Sequence, residues 1–312
     1  MSLVFVFPGQ GSQYVGMGKE LYHNYSSARE IFEQANEALN YDITKLCFEG
    51  PEDQLNKTVN TQPALLTVSI AALAVLHENG IRPVAVAGHS LGEYSALVCA
   101  GALKFTDAVR LVQFRGKYMQ EAAAGNGGMA AVLGLDGKTV DEICTKAATD
   151  GHIVEAVNYN CPGQVVIAGT EEGLKPAMEL AKEAGARRCV PLAVSGPFHS
   201  SLMRPAGEKL NQAMEQVPFN NVNIPVVSNV TADFVKSAED IKEKLYQQVF
   251  SPVRWEESVQ NLHQQGYNAF VEVGPGKVLS GLVKKTLKGI KPLNVEDKVS
   301  LEKVLAQLKE VG

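Results

Sequence analysis

The sequence predicts an α/β protein in which a smaller domain is inserted into a larger one. Two short apolar runs, Leu3 to Phe7 and 84–88, have the length and composition of buried strands, and a turn follows each of them. Between residues 125 and 197 the elements follow the order strand, helix, strand, strand, helix, strand, and the first pattern then returns. We therefore predict a large domain over residues 1–124 and 198–312 and an inserted domain over residues 125–197.

The first part of the large domain is predicted to alternate strands with helices. After the first strand, Thr61 can cap a long helix that tolerates Pro63 in its first turn and runs to Gly80. This helix is apolar almost all round, so we expect it in the core. The second strand leads into a helix that ends at Gly101, and Thr106 can cap the helix that follows.

The inserted domain has six predicted elements: strands 129–135, 153–159, 164–169 and 188–194, and helices 138–149 and 171–185. The order βαββαβ is that of ferredoxin-like domains. The glycine-containing runs 125–129 and 195–197 flank it as plausible hinges. Beyond it we predict four further elements of the large domain: strand 225–230, helix 238–250, strand 269–274 and a final amphipathic helix from Val299.

Composition and charge narrow the class of protein. Hydrophobic residues make up 45% of the 312 residues, which is enough for a large buried core. The formal net charge of -5, without a block of Lys and Arg, gives no electrostatic reason to bind nucleic acid or an anionic membrane. The opening apolar run is too short for a membrane span and no basic region precedes it, so we expect a cytoplasmic protein. The five cysteines lack CxxC spacing, which argues against a disulfide framework or a zinc site.

The strongest chemical signal is the segment Gly88-His89-Ser90-Leu91-Gly92. It matches G-x-S-x-G, and the strand before it and the helix after it are the context that this motif requires. The turn that lifts the serine out of the sheet leaves no space for a Cβ at the two glycines. The helix N-terminus would direct free N–H groups, beginning with Leu91, at an oxyanion beside Ser90. The alternative is an ordinary capped turn between strand and helix.

A serine nucleophile needs a general base, and His199 is the best candidate. Four of the six histidines stand in polar helical or loop surroundings, where a solvated side chain is the simpler explanation: His23, His77, His152 and His263. His89 adjoins Ser90, but adjacent side chains point apart. His199 follows a strand at a predicted hinge, where a cleft would form, although it could also be a capping or packing histidine. No Asp or Glu is evident as a third member, and an amide or backbone carbonyl could accept the same bond.

A helix face places Arg115 among apolar residues. At about 100° per residue, it shares that face with side chains such as Leu111 and Met119, whereas Arg110 and Lys117 fall on the polar side. A guanidinium in such surroundings needs an anionic partner. The partner could be a structural Asp or Glu, or a substrate carboxylate held by two parallel N–H bonds.

The glycine-rich segment after the first strand begins G-x-G, but it does not predict a dinucleotide site. The third glycine of G-x-G-x-x-G would stand at position 14, where the sequence has Tyr14. The other use of such a loop is to offer a backbone N–H to an anion as the second donor of an oxyanion hole.

Seven segments, in register from end to end, resemble the malonyl-CoA:acyl carrier protein transacylases of fatty acid synthesis. They are FPGQGSQ at 7–13, TQPAL at 61–65, GHSLGEYSAL at 88–97, QFRGKYMQ at 113–120, NYNCPGQVVIAG at 158–169, SGPFHS at 195–200 and VEVGPGKVL at 271–279. The resemblance implies an α/β-hydrolase-like large domain with an inserted ferredoxin-like domain. It also implies Ser90 as nucleophile, His199 as base, Arg115 as the residue that holds the malonyl carboxylate, and the N–H groups of Gln10 and Leu91 as the oxyanion hole.

Further roles rest on the resemblance alone. Gln248 matches the glutamine whose carbonyl orients the histidine. The remaining carry-overs are pocket-lining residues: Gln62, Asn160 and Gln164. Phe198 is bulky where related polyketide acyltransferases that accept methylmalonyl tend to have a smaller residue, which favours malonyl.

The implied reaction is ping-pong transfer of malonyl from malonyl-CoA through a malonyl-serine to the phosphopantetheine thiol of acyl carrier protein. It needs no metal or redox cofactor, because coenzyme A belongs to the substrate and phosphopantetheine to the partner. We expect a monomer. A discrete malonyl acyltransferase serving a polyketide synthase shares every motif quoted, and the serine motif alone would equally predict an esterase or thioesterase.

Overall fold

The computed structural model describes residues 2–125, 127–149, 151–194 and 196–311. Within these ranges the strands are Leu3–Phe7 (β1), Ala85–Gly88 (β2), Gly128–Leu133 (β3), Val154–Cys161 (β4), Gln164–Gly169 (β5), Arg188–Pro191 (β6), Val226–Val227 (β7), Ala269–Val273 (β8) and Leu293–Val295 (β9). The helices are Lys19–Asn24 (α1), Ser26–Leu39 (α2), Ile43–Glu49 (α3), Glu52–Leu55 (α4), Thr58–Glu78 (α5), Gly92–Cys99 (α6), Phe105–Ala123 (α7), Gly137–Ala147 (α8), Glu171–Glu183 (α9), Arg204–Glu215 (α10), Ala238–Gln248 (α11), Trp255–Gln264 (α12), Val278–Thr286 (α13) and Lys298–Val311 (α14).

A parallel sheet in the order β7-β2-β1-β8-β9 forms the centre of the larger part. Strand β1 is an unbroken apolar run because its two faces are both buried: Phe5 packs into one hydrophobic cluster and Val4 into the other. Phe7, the last residue of β1, pairs with Gly88, the last residue of β2. The loops that follow the two strands therefore leave the sheet side by side at its carboxyl edge, where open α/β sheets bind ligands.

A second, antiparallel sheet has the order β4-β5-β3-β6. Helices α8 and α9 pack on it around a separate small core that includes Ile143, Ile167 and Ala177. The six elements β3-α8-β4-β5-α9-β6 follow the predicted βαββαβ order. The predicted fold class, an α/β-hydrolase-like domain with an inserted ferredoxin-like domain, is therefore confirmed.

The domain boundaries at 124/125 and 197/198 remain a prediction. Each predicted hinge contains a residue outside the described part of the chain, Asn126 in one and Ser195 in the other. The two sheets are joined elsewhere as well. Tyr159 of β4 donates its N–H to the carbonyl of Val253 at 3.0 Å, and Val253 donates its N–H to the carbonyl of Val157 at 2.9 Å. These bonds hold β4 against the larger part, above the carboxyl edge of the parallel sheet.

Two predicted helix caps are wrong. Helix α5 begins at Thr58, before Thr61, and the Thr61 hydroxyl donates to carbonyls that precede the helix, at 2.6 Å from Leu55 O and 3.1 Å from Lys57 O. A threonine hydroxyl satisfied by a preceding carbonyl is stable inside a helix, so it need not act as a cap. Helix α7 likewise begins before Thr106, at Phe105, and its N-cap residue makes no side-chain hydrogen bond.

Helix α5 lies in the core as expected, and its residue His77 is more buried than its sequence context alone would indicate. Helix α5, with a mean hydropathy of 1.6, is long and apolar enough to cross a membrane, but 83% of its most apolar 18-residue window is buried within the protein. His77, which we predict to be solvated, is instead half-buried, and burial lowers its pKa to about 4. His77 lies in the last turn of the buried helix α5, which places its imidazole partly in the core.

Candidate active site

Ser90 stands on a strained turn between β2 and α6. Its φ angle is 51°, in the left-handed region that L side chains rarely adopt. A Cβ at Gly88 would overlap the backbone of Gly92, and a Cβ at Gly92 would overlap the backbone of Phe7. The two glycines of the motif therefore have the predicted steric function, because they let the turn approach its neighbouring strand and helix.

Asn229 holds the strained turn from both sides. Its Oδ1 atom accepts the N–H of Ser90 at 2.6 Å, and its Nδ2 atom donates to the carbonyl of Gly88 at 2.6 Å. Asn229 is fully buried in the loop after β7. A residue with φ above zero persists only where the surrounding structure over-determines it, and these two bonds supply that constraint.

His199 lies directly against Ser90. The distance between Ser90 Oγ and His199 Nε2 is 2.8 Å, and His199 Nδ1 lies 2.7 Å from the backbone carbonyl oxygen of Gln248. A backbone carbonyl can only accept a hydrogen bond, so Nδ1 carries the proton of the neutral imidazole. Nε2 is then the acceptor for the Ser90 hydroxyl, as a general base requires.

The protonation state of His199 suits that geometry. The residue is 4% exposed, and its φ angle of 65° also lies in the left-handed region. Burial, and then the positive charge of Arg115, lower its pKa to about 3. The imidazole is therefore neutral at pH 7 and can accept a proton.

Arg115 reaches the same point from α7. It is 1% exposed; Nη2 donates to Ser90 Oγ at 3.1 Å and to Gln248 Oε1 at 2.9 Å, and Nη1 donates to Gln62 Oε1 at 2.8 Å. The guanidinium also lies over the ring of Tyr94, 5.6 Å from its centre. All three hydrogen-bond acceptors are neutral.

No ion pair to Arg115 occurs in the part of the chain that the structure describes. Its Nε–H is buried and has no hydrogen-bond partner in these ranges. Arg110 and Lys117, on the opposite side of α7, are exposed as predicted. Of the two alternatives for Arg115, the structure therefore favours a ligand carboxylate over a direct structural Asp or Glu.

A cleft of about 630 Å³ runs between the two sheets and opens onto Ser90, His199 and Arg115. Its walls include the other residues predicted from the sequence: Gln10, Gln62, Leu91, Asn160, Gln164 and Phe198. Leu91 is the N-cap residue of α6, so its N–H has no partner within the helix. Gln10 lies in the loop after β1. The cleft thus brings every predicted residue except Gln248 to one surface, and Gln248 is buried behind it.

The structure shows what some of these residues contact. Asn160 Oδ1 is 2.9 Å from Nε2 of His89, which turns away from Ser90 as predicted. Gln62 contacts Arg115, as described above, so it positions the guanidinium. Gln164 Oε1 accepts a weak bond from Cys161 Sγ at 3.7 Å.

Sequence analysis missed Asn229 and Glu93. Glu93 is 1% exposed, and its Oε2 accepts from Gln248 Nε2 at 2.6 Å and from Asn229 N at 3.1 Å. The position of Glu93 three residues after Ser90, inside an otherwise apolar helix, was a usable signal. Asn229 offered only a polar residue at a strand end, and its partner lies 139 positions away.

Comparison with known proteins agrees with this geometry. A family model described as the acyl transferase domain matches residues 4–309. The malonyl CoA-acyl carrier protein transacylase of Bacillus subtilis is 52% identical over 309 residues, which cover 99% of this chain and 98% of that protein. The protein of the same name from Escherichia coli K12 is 49% identical over 283 residues, covering 90% and 91%.

Two solved structures are also similar to this chain over nearly its whole length. The malonyl CoA-acyl carrier protein transacylase of Clostridium perfringens superposes with a TM-score of 0.96 at 47% identity, covering 100% of this chain and 98% of that one. A malonyl-transacylase solved in complex with a type II polyketide acyl-carrier protein superposes with a TM-score of 0.95 at 46% identity, covering 98% and 100%. With its serine on a glycine-flanked turn, its histidine base and a family match over nearly its whole length, the chain belongs to the acyl transferase domain family.

Proposed function

We propose that this protein transfers a malonyl group from malonyl-CoA to the phosphopantetheine thiol of acyl carrier protein. The observation that carries the proposal is Arg115, a buried guanidinium whose Nη2 lies 3.1 Å from Ser90 Oγ and which has no direct carboxylate partner among the residues that the structure describes. An acyl group attached to Ser90 and ending in a carboxylate would complete its charge balance. The names of the similar proteins support malonyl as that group.

In the first half-reaction Ser90 Oγ attacks the thioester carbonyl while His199 Nε2 takes the hydroxyl proton. Collapse of the tetrahedral intermediate breaks the carbon–sulfur bond, and His199 returns the proton to the departing thiolate of coenzyme A. The N–H groups of Leu91 and Gln10 are proposed to stabilise the oxyanion, since both residues line the cleft that contains Ser90. The Gln248 carbonyl holds the imidazole in the tautomer that this step needs.

The second half-reaction reverses these roles with a different thiol. His199 removes the proton from the phosphopantetheine thiol, the thiolate attacks the malonyl-serine ester, and the proton returns to Ser90 Oγ as that bond breaks. No step needs a metal ion or a redox cofactor. The chemistry is a thioester exchange, with coenzyme A as part of one substrate and phosphopantetheine as part of the other.

A malonyl carboxylate would also assist the base. The charge of Arg115 is one cause of the low pKa of His199. A carboxylate bound to the guanidinium offsets that charge, so His199 becomes a stronger base when malonyl is present and stays weak with an uncharged acyl group. Phe198, which is 6% exposed at the wall of the cleft, is proposed to exclude a branched methylmalonyl group.

Two alternatives share the same catalytic residues. A polyketide-dedicated acyltransferase would differ in the carrier protein it prefers, and one similar structure is of that kind. An esterase or thioesterase would differ in using water as the acceptor. We propose that the protein serves fatty acid synthesis as a cytoplasmic monomer. We also propose that it binds neither nucleic acid nor membranes, because its net charge of -5 disfavours such polyanionic partners.

Intact-mass spectrometry with a panel of acyl-CoA donors tests the proposal. Malonyl-CoA should add one malonyl group to the protein, and Ser90→Ala should abolish the adduct. Holo acyl carrier protein should then remove the group faster than water does. Release of free malonate as fast as loading of the carrier protein would contradict transfer and support a hydrolase.

A further inference from the structure

Glu93 is a buried carboxylate that the proposed reaction does not use. It lies in the first turn of α6 and is 1% exposed. A carboxylate in such a place is costly unless hydrogen bonds and a positive charge compensate it. Its Oε2 has two donors, Gln248 Nε2 and Asn229 N. The positive charge in its surroundings is that of Arg115.

Gln248 connects the two charges. Its Nε2 donates to Glu93 at 2.6 Å, and its Oε1 accepts from Arg115 Nη2 at 2.9 Å. The amide therefore turns its positive end to the carboxylate and its negative end to the guanidinium. Glu93 and Arg115 therefore form an indirect ion pair. The Nε–H of Arg115 has no hydrogen-bond partner within the described ranges.

We infer that ionised Glu93 is the counter-ion of Arg115 in the free enzyme, and that this ionised form takes up a proton from solvent when a malonyl carboxylate replaces it in that role. This inference rests on the proposed function. Two carboxylates around one buried guanidinium would leave an uncompensated negative charge. The malonyl group can bind Arg115 directly by two parallel N–H bonds, whereas Glu93 acts only through an amide, so Glu93 is the carboxylate that becomes neutral.

Among Glu93 and the groups that face it, Glu93 is the one whose pKa lies near neutral pH. Burial raises its pKa to about 7, although hydrogen bonds from Asn229 and Gln248 and the charge of Arg115 act in the opposite direction. Tyr94, the next residue of α6, stays neutral because burial raises its pKa. His199 also stays neutral, because burial and Arg115 lower its pKa to about 3. Ser228, which also bonds the carboxylate, does not titrate.

The proton balance of acylation allows a direct count. Conversion of serine and acyl-CoA to acyl-serine and coenzyme A consumes no proton, and any ionisation of the released thiol is the same for every acyl group. The difference between malonyl and acetyl loading therefore isolates uptake that depends on the carboxylate. At pH 7 a group with a pKa of about 7 is half ionised, so the expected excess is about half a proton per malonyl group.

The experiment mixes the wild-type protein with malonyl-CoA or acetyl-CoA in weak buffer at pH 7 and follows a pH indicator dye. Intact mass gives the number of acyl groups loaded. Excess uptake with malonyl supports the inference, and equal uptake per acyl group overturns it. Absence of a malonyl adduct would overturn the proposed function as well, so the two failures are distinguishable.

The variant Glu93→Gln locates the proton. Glutamine has the same shape and can still accept the bonds from Gln248 and Asn229, but it cannot titrate. The excess uptake should disappear while malonyl still loads; persistence of the uptake would place the proton elsewhere and overturn the inference. If the variant does not fold, infrared difference spectra of the wild type with ¹³C-labelled malonyl-CoA answer the same question. A new band of a protonated, unlabelled carboxyl group supports Glu93, and its absence contradicts it.

Discussion

Replacing Arg115 with alanine should separate malonyl transfer from transfer of an uncharged acyl group. The guanidinium is the only cation in the described part of the chain whose hydrogen bonds reach Ser90 Oγ, and its acceptors there are neutral. Arg115→Ala leaves a bound malonyl carboxylate in a buried site without a partner. The acetyl group has no carboxylate and loses no such partner.

The size of the effect follows from the burial of Arg115. Removing one partner of a buried, hydrogen-bonded charge pair costs about 2 to 4 kcal/mol. At about 1.4 kcal/mol for each factor of ten, kcat/KM for malonyl-CoA should fall roughly 30- to 700-fold. For acetyl-CoA the same change leaves the burial that chiefly lowers the pKa of His199 but removes the second cause, the charge of Arg115. The rate with acetyl-CoA should therefore stay the same or rise.

The assay measures the initial rate of carrier-protein acylation with each donor over a range of donor concentrations. Lys117→Ala is the matched control, because Lys117 is an exposed cation on the same helix. It should change neither rate by more than a small factor. Equal losses with malonyl-CoA and acetyl-CoA in Arg115→Ala would refute the carboxylate role, since they would indicate general damage to the site.

Three further predictions follow from the same contacts. Asn229→Ala removes the two bonds from Asn229 to the Ser90 turn. Malonyl loading measured by intact mass should therefore slow by at least tenfold, about 1.4 kcal/mol, while circular dichroism stays unchanged; loading at the wild-type rate would exclude this role. Gly88→Ala should lower Tm sharply, because the added Cβ would overlap the backbone of Gly92. Gly281→Ala on α13 is the control: nothing lies within 4 Å of the added Cβ, so Tm should stay unchanged or rise. Similar effects of the two changes would contradict the steric explanation. Because the pKa of His199 is depressed, the folded state binds fewer protons than the unfolded state between pH 6.5 and about 3, so the stability of the folded state falls as pH falls through that window. In His199→Gln this decline, measured by urea unfolding, should be shallower. An unchanged pH dependence of stability would contradict the shift.

The Ser90 turn could be predicted from the sequence because its requirements are local. Two glycines, a serine and the flanking strand and helix lie within a few residues of one another, and the steric reason for each is visible in the chain itself. The burial of Arg115 was predictable for the same reason, since helical spacing alone places it on the apolar face. Both predictions depend only on residues that lie close together in the sequence.

The network behind the site could not be predicted in this way. Asn229 meets Ser90 only because β7 pairs with β2, and Gln248 meets Glu93 across 155 positions. The predicted cap at Thr61 failed for a related reason: its hydroxyl donates to the carbonyl of Leu55 at the end of α4, and α5 already begins at Thr58. Single-sequence patterns identify which side chains are unusual, but their partners are set by the packing of distant elements.

The acceptor for His199 is a peptide carbonyl, and this affects how the site responds to mutation. Every amino acid contributes the same carbonyl at position 248, so no substitution there can delete the group that orients the imidazole. Substitutions of Gln248 change only its side chain, which contacts Arg115 and Glu93. The same side chain also donates to the backbone carbonyl of Ser90 at 3.1 Å. A mutational scan would therefore score position 248 by the loss of these side-chain contacts, and it would not detect the orienting function of the carbonyl unless the C-terminal end of α11 moved.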